Sequence, residues 1–205
     1  MAARLGGIER QQPMDPIERY LTELVEMIRG LPRKDIRRVV QAVREVREQN
    51  RQLFLLGNGG SAATASHMAC DLAKTSLMPE FKRIRAIALT DNVPLITAWG
   101  NDVSYEEVFA QQLANLVQPG DLVIAISGSG NSPSVLRAVE TAKEMGARTV
   151  GFTGHPGGKL RGLVDISVVA PSRRIEQAED AHLILDHLVS VALREASAVE
   201  ELGAA

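Results

Sequence analysis

Apolar and polar positions divide the chain into two regimes. Between Ile17 and Leu31, apolar residues recur at Tyr20, Leu21, Leu24, Val25 and Ile28, the i, i+3, i+4 spacing of a helix stripe. Asp15-Pro16 is a start signal, a cap followed by proline at the first helical position, and Gly30 and Pro32 stop the run. A second stripe follows at Ile36, Val39, Val40, Val43 and Val46. Its other face carries Arg33, Lys34, Arg37, Arg38, Arg44 and Arg47, read as a solvated face or as a surface for an acidic partner. Residues 1–14 lack periodicity and predict a loose tail, so 15–50 reads as a helical pair.

Past Arg51 short apolar runs alternate with helical stretches. The runs are Gln52–Leu56, Ile84–Leu89, Leu122–Ser127, Arg148–Thr153 and Ile166–Ala170, with helices expected at 61–74, 104–117, 132–146 and 175–196. Strand–helix alternation implies parallel pairing with helices on both faces, and near-continuous apolar strands fit a sheet covered on both sides. The expectation is an α/β chain: a doubly wound five-stranded parallel sheet over 51–197, two leading helices, and a short tail at 198–205. In such sheets ligands sit beyond the carboxyl ends of the strands, where strand order reverses.

Composition narrows the chemistry. The chain has 205 residues and a formal net charge of −2, which argues against bulk electrostatic binding of nucleic acid. Aromatics make up only 3%, too few for a base-stacking platform. One cysteine, Cys70, excludes a disulfide framework within the chain and favours a reducing compartment. With no apolar run near the roughly 20 residues of a membrane span and no signal-type stretch before Pro13, the expectation is a soluble cytoplasmic protein.

Two loops follow strands and open into helices. The first is Gly57-Asn58-Gly59-Gly60-Ser61, whose glycines permit a tight turn and close backbone approach to a ligand. The second is Ser127-Gly128-Ser129-Gly130-Asn131-Ser132, rich in hydroxyl and amide donors at a helix start. Each is a candidate anion site, the alternatives being an ordinary turn and a Ser/Asn helix cap. Neither contains Lys or Arg, so an anion there relies on dipoles and hydroxyls.

His67 and Asp71 stand at i, i+4 on the helix after the first loop, spaced for a metal pair, a proton-transfer pair or a plain surface hydrogen bond. The last helix carries Glu176, Glu179, Asp180, His182, Asp186 and His187. At 100° per residue Glu179 and His187 fall about 80° apart, and His182 and His187 about 140° apart. The two histidines therefore do not share one small site easily, and periodicity does not choose between them. An apolar face is expected from Ala181, Ile184, Leu185, Leu188, Val191 and Ala192. His155 reads as a loop residue, and Cys70 and Trp99 as packing residues.

The two loops, with Ile126 and the Asn101-Asp102 pair, resemble the sugar isomerase (SIS) family, within it the phosphoheptose isomerase branch, from about residue 15 to 196. The resemblance implies the SIS fold and an aldose–ketose isomerase acting through an enediol, most simply between sedoheptulose 7-phosphate and D-glycero-D-manno-heptose 7-phosphate. The alternative it carries is a non-catalytic phosphosugar- or protein-binding module of the replication-initiator-associating type. It chooses His187 over His182, since the branch surrounds its substrate, and in some members a zinc ion, with a His and a Glu on the first-loop helix and a Gln and a His on the last. Those positions are His67, Asp71, Glu179 and His187 here, with Asp for Glu and Glu for Gln. The implied ligand set for one divalent cation, zinc by expectation, is His67, Asp71, Glu179 and His187. Asp71 is the implied base and His187 the acid, with Glu179 as ligand or alternate base. Ser127, Gly128, Ser129 and Ser132 would hold phosphate, and Asn58, Gly59, Gly60, Ser61, Asn101 and Asp102 the rest of the sugar. Family members are typically homotetramers with shared sites, so a homo-oligomer is expected.

Overall fold

The computed structural model describes residues 14–203, with the side chains of 196–203 outside that description. All but one residue of the expected N-terminal tail therefore lies outside the described residues. Helix α1 (Pro16–Arg29) starts where Asp15 caps Glu18, and α2 (Arg33–Glu48) follows after a turn. The sheet strands are β1 (Gln52–Gly57), β2 (Arg85–Ala88), β3 (Leu122–Ser127), β4 (Arg148–Gly154) and β5 (Ile166–Ala170). All neighbours pair in parallel, in the order β2-β1-β3-β4-β5. Order reverses between β1 and β3, whose carboxyl ends carry the two loops singled out above.

Both faces of the sheet are covered, as alternation along each strand dictates. Leu53, Leu55, Ile124 and Phe152 point into a core closed by α2, α3 (Gly60–Cys70) and α8 (Ile175–Gly203). Phe54, Leu56 and Val123 point the other way, onto α5 (Ala110–Leu116) and α6 (Pro133–Glu144), with Trp99 packed at the margin. A short α7 (Leu160–Leu163) leads into β5.

Four elements differ from the sequence reading. Helix α4 (Val93–Asp102) was not expected; Asn92 caps it at Leu95 N, but its VPLITAW stretch is apolar all round and shows no stripe. The helix expected over 104–117 is a 3₁₀ turn (Tyr105–Glu107) followed by α5, because the chain is extended at Ser104, φ −167°. The helix expected over 61–74 is α-helical only to Cys70 and continues as a π-turn, Asp71–Thr75, with Ser76 N bonded to Asp71 O at 2.8 Å. The last helix runs on to Gly203, through the segment read as a tail, since Ala, Val, Glu and Leu follow Glu195 with no breaker before that glycine.

The buried face of α8 also differs. Its fully buried positions include Ala178, Ala181, Leu185, Val189 and Leu193, while Leu188 stays 42% exposed. Three polar residues lie in that buried stripe at i, i+4 spacing: His182, Asp186 and Ser190. Helix α1 is tied to the start of α8 by Tyr20 donating to Asp180 and by Glu23 bound to Arg174 and Gln177. The single apolar stripe expected on α1 splits in two. Leu24, Met27 and Leu31 face the body, whereas Ile17, Leu21, Val25 and Ile28 remain exposed.

Of the basic face of α2, Arg47 is buried with its guanidinium 4.1 Å over the Phe81 ring, and Arg38 binds Asp35 and the Asp165 carbonyl. Cys70 is exposed rather than packed, and His155 is an exposed turn residue.

Candidate functional site

The first loop is shaped by two glycines. Gly59 adopts φ 55°, ψ −123°, a conformation side chains resist. At Gly60 an added Cβ would meet the Glu179 carboxylate at 2.6 Å. Helix α8 therefore delivers Glu179 onto the N-terminal turn of α3, where backbone N–H groups and the helix dipole favour a negative charge. Asn58 is held at both ends of its amide: it donates to Ser134 Oγ at 3.0 Å and accepts from the Tyr105 hydroxyl at 2.9 Å. Tyr105 was absent from the sequence reading, because nothing in the spacing ties residue 105 to the first loop.

Between the two loops lies a cavity of about 150 Å³. Asn58, Ser61, Ser127, Gly128, Ser129, Ser132 and Glu179 line it together with Ile126 and Ile175. Ser127 and Ser132 share a hydroxyl–hydroxyl contact of 3.2 Å, and Ser129 Oγ accepts from Asn131 N, which fixes the second loop at the start of α6. No basic side chain lines the cavity among the described residues. Its volume is below the roughly 300–1,000 Å³ of whole-ligand pockets, enough for one end of a sugar phosphate. Gly59, Gly60, Asn101 and Asp102 are not among its lining residues; Asn101 and Asp102 are exposed at the end of α4 and bonded to each other.

A second polar centre lies further along α3 and α8. His67 Nε2 is 3.3 Å from His187 Nε2, 3.7 Å from an Asp71 oxygen and 3.8 Å from an Asp186 oxygen. One donor atom from each of His67, Asp71, Asp186 and His187 lies within 4.8 Å of all the others. His182 does not take part. It is fully buried near the Phe152 ring, and burial holds its pKa down to about 4, with the Thr153 backbone acting the other way. Glu179 does not join the group either. The expected set of His67, Asp71, Glu179 and His187 thus meets in the structure with Asp186 where Glu179 was expected.

Asp186 is completely buried, and neither of its carboxylate oxygens has a hydrogen-bond partner. Burial, and then the neighbouring Asp71 charge, push its pKa up to about 7. Thr75 satisfies one Asp71 oxygen at 2.9 Å, an i, i+4 bond across the π-turn. An unpartnered buried carboxylate beside a second carboxylate and two imidazoles is a donor set that fits a divalent cation.

The two centres have a fixed spacing. Gly60 meets Glu179, and seven residues on in each helix His67 meets Asp186, so α3 and α8 run side by side in one direction. Seven residues of helix advance about 10 Å. The pair therefore carries a hydroxyl-lined cavity at one end and a His/carboxylate cluster two turns further on.

Known proteins resemble this chain over most of its length. The SIS domain pattern matches residues 18–154. The phosphoheptose isomerase of Nitratiruptor sp. is 40% identical over 145 residues, covering 71% of this chain and 77% of that protein. The chain belongs to the phosphoheptose isomerase family of SIS-domain proteins. A second relative, the phosphoheptose isomerase of Pelobacter propionicus, is 39% identical over 171 residues, 83% of this chain and 88% of its own. Among solved structures, a phosphoheptose isomerase from Francisella tularensis superposes with a TM-score of 0.82 at 29% identity, over 90% of this chain and 100% of its own. That from Neisseria gonorrhoeae gives 0.77 at 28% identity, over 87% and 98%. Membership of this isomerase family covers both loops, the first-loop helix and the doubly wound sheet. No described helix is long and apolar enough to cross a membrane.

Proposed function

We propose that the protein interconverts sedoheptulose 7-phosphate and D-glycero-D-manno-heptose 7-phosphate through an enediol. The observation that carries this reading is the seven-residue offset, about 10 Å of helix, between Glu179 at the cavity and Asp186 at the cluster. Three bonds of an extended chain advance about 3.8 Å, so the seven bonds from C2 of an open heptose to a phosphorus on O7 span about 9 Å. With phosphate among Ser127, Gly128, Ser129 and Ser132, C1 and C2 reach Asp71 and His187, whereas a shorter sugar falls short.

Asp71 takes the proton from C1 of the ketose while His187 protonates the C2 carbonyl oxygen, giving the enediol; Asp71 then returns its proton to C2 as His187 takes the proton of the C1 hydroxyl, giving the aldose. The Thr75 bond holds the second Asp71 oxygen and so aims the first. Asn58, clamped by Tyr105 and Ser134, presents the first loop to the sugar, with Gly59, Gly60 and Ser61. Asn101 and Asp102 stand at the exposed end of α4, suited to hydroxyls at the open side. His67, Asp71 and His187 would hold one divalent cation per site, zinc by donor chemistry, which supplies polarisation of the carbonyl and stabilisation of the enediolate oxygen.

The cytoplasm suits a chain with one exposed thiol. A homo-oligomer, a tetramer by family precedent, is supported by the exposed α1 stripe, where Ile17 is 68%, Leu21 51%, Val25 47% and Ile28 38% accessible. The test is conversion of sedoheptulose 7-phosphate to the aldose, with and without Zn²⁺, beside fructose 6-phosphate as a shorter ketose. Aldose from the heptose and little from the hexose supports that spacing. No product from either, with any cation, leaves a binding module and overturns the isomerase.

A further inference from the structure

The resemblance puts the last-helix partner of His187 at residue 179, but the structure has another residue beside the histidines. The geometry points to Asp186, not Glu179, as the carboxylate that completes a tetrahedral cation seat with His67, Asp71 and His187. This rests on the cation reading of the site and not on the isomerase activity.

Three observations carry it. Ligands at 2.0–2.2 Å from a tetrahedral zinc lie about 3.3–3.6 Å from one another. The contacts from His67 Nε2 to His187, Asp71 and Asp186 are 3.3, 3.7 and 3.8 Å, close to three edges of such a tetrahedron, and the remaining pairs lie within 4.8 Å. Asp186 is fully buried with both oxygens unpartnered, yet one of them points at that centre. A carboxylate so placed, beside Asp71, lacks the compensation that buried charge requires unless a cation or proton supplies it. Finally, Glu179 is engaged elsewhere: its carboxylate lies against Gly60, seven residues and about 10 Å back along α8. Relative to the expected set, one ligand is shifted two turns along the last helix, from Glu179 to Asp186, and Glu179 is left to the sugar-phosphate end.

The shift has a chemical consequence. Four protein donors close a tetrahedral zinc, whereas catalytic zinc sites keep a position open. Of the four, His67 and His187 are the exposed donors, so these are the ligands that would yield a position to substrate. The buried Asp186 stays in place as the anchor.

The test measures cation binding directly on the full-length protein. Zn²⁺ affinity is read by competition with a chromophoric chelator, and geometry from the visible spectrum after Co²⁺ loading. The wild type is expected to bind one equivalent and to give the intense bands of tetrahedral Co²⁺. Asp186→Asn should weaken Zn²⁺ at least tenfold, and Glu179→Gln less than threefold. The metal-free Asp186→Asn protein should melt no lower than the wild type, because a buried unpaired charge is removed, while losing the Zn²⁺-induced rise in Tm. If that variant fails to fold, Asp186→Cys reports ligation independently through a thiolate-to-Co²⁺ charge-transfer band. The inference is overturned if the wild type binds neither cation, if Glu179→Gln rather than Asp186→Asn loses binding, or if Asp186→Cys gives no such band. Normal cation binding without turnover would refute the isomerase reading alone.

Discussion

Replacing Glu179 by Gln removes one negative charge from the wall of the serine cavity and nearly preserves the side-chain volume. In the structure Glu179 lines that cavity and rests on the first turn of α3. It therefore occupies the anion-favouring end of one helix while facing the proposed phosphate site at the start of another. Two unit charges roughly 6 Å apart repel by about 3 kcal/mol at an effective dielectric near 20, and by about 0.7 kcal/mol in water. Glu179 is only half-buried, so about 1 kcal/mol is the reasonable working value. Glu179→Gln should then bind inorganic phosphate and sedoheptulose 7-phosphate about five- to tenfold more tightly in calorimetric titration at low salt. The gain should shrink at high ionic strength. Loss of the carboxylate from the α3 terminus should lower thermal stability slightly, by about 0.3–1 kcal/mol. Unchanged or weaker phosphate binding at low salt would refute the placement of phosphate beside Glu179.

Other perturbations follow from the same geometry. Tyr105→Phe removes the bond that fixes Asn58, which is worth about 1 kcal/mol, so KM should rise about fivefold with the cation affinity unchanged. Burial holds the folded-state pKa of His182 at about 4 against an ordinary value of 6.5, so the unfolded chain binds the extra proton first as pH falls. Its contribution is complete above pH 6.5 and is lost between pH 6.5 and 4, about 3 kcal/mol in all, and urea melts of His182→Leu should show a flatter acid limb. Leu21→Asp on the exposed α1 stripe should shift the mass measured by light scattering toward the monomer, and an unchanged mass would remove α1 from any interface.

The strands and the two loops were legible because their signals are local. Leu122–Ser127 and Ile166–Ala170 stand as read from their apolar runs, and the glycines at 57, 59 and 60 mark the tight turn directly. Helix α4 was not legible, since an element apolar on every side carries no period. Asp186, named among the acidic residues of the last helix but not placed in the ligand set, was the more consequential miss. An acidic residue between Leu185 and His187 on an otherwise apolar stretch signals a buried charge in need of a partner, but helix periodicity does not say which residues of α3 face it. Only the parallel run of α3 and α8 brings His67 and Asp71 to that point. The split of the α1 stripe into buried and exposed halves likewise depends on where α8 lies, which the pattern within α1 does not encode.

Proton transfer at C1 and C2 is the central step of the proposed reaction. Incubated in D₂O with sedoheptulose 7-phosphate and Zn²⁺, the wild type should introduce solvent deuterium at C1 of the ketose and at C2 of the aldose, followed by NMR. Asp71→Asn should slow that exchange about 10²- to 10⁴-fold while leaving the circular dichroism unchanged. Exchange that persists at the wild-type rate in Asp71→Asn, or aldose product formed with no deuterium at either carbon, would contradict the enediol mechanism and the site assigned to it.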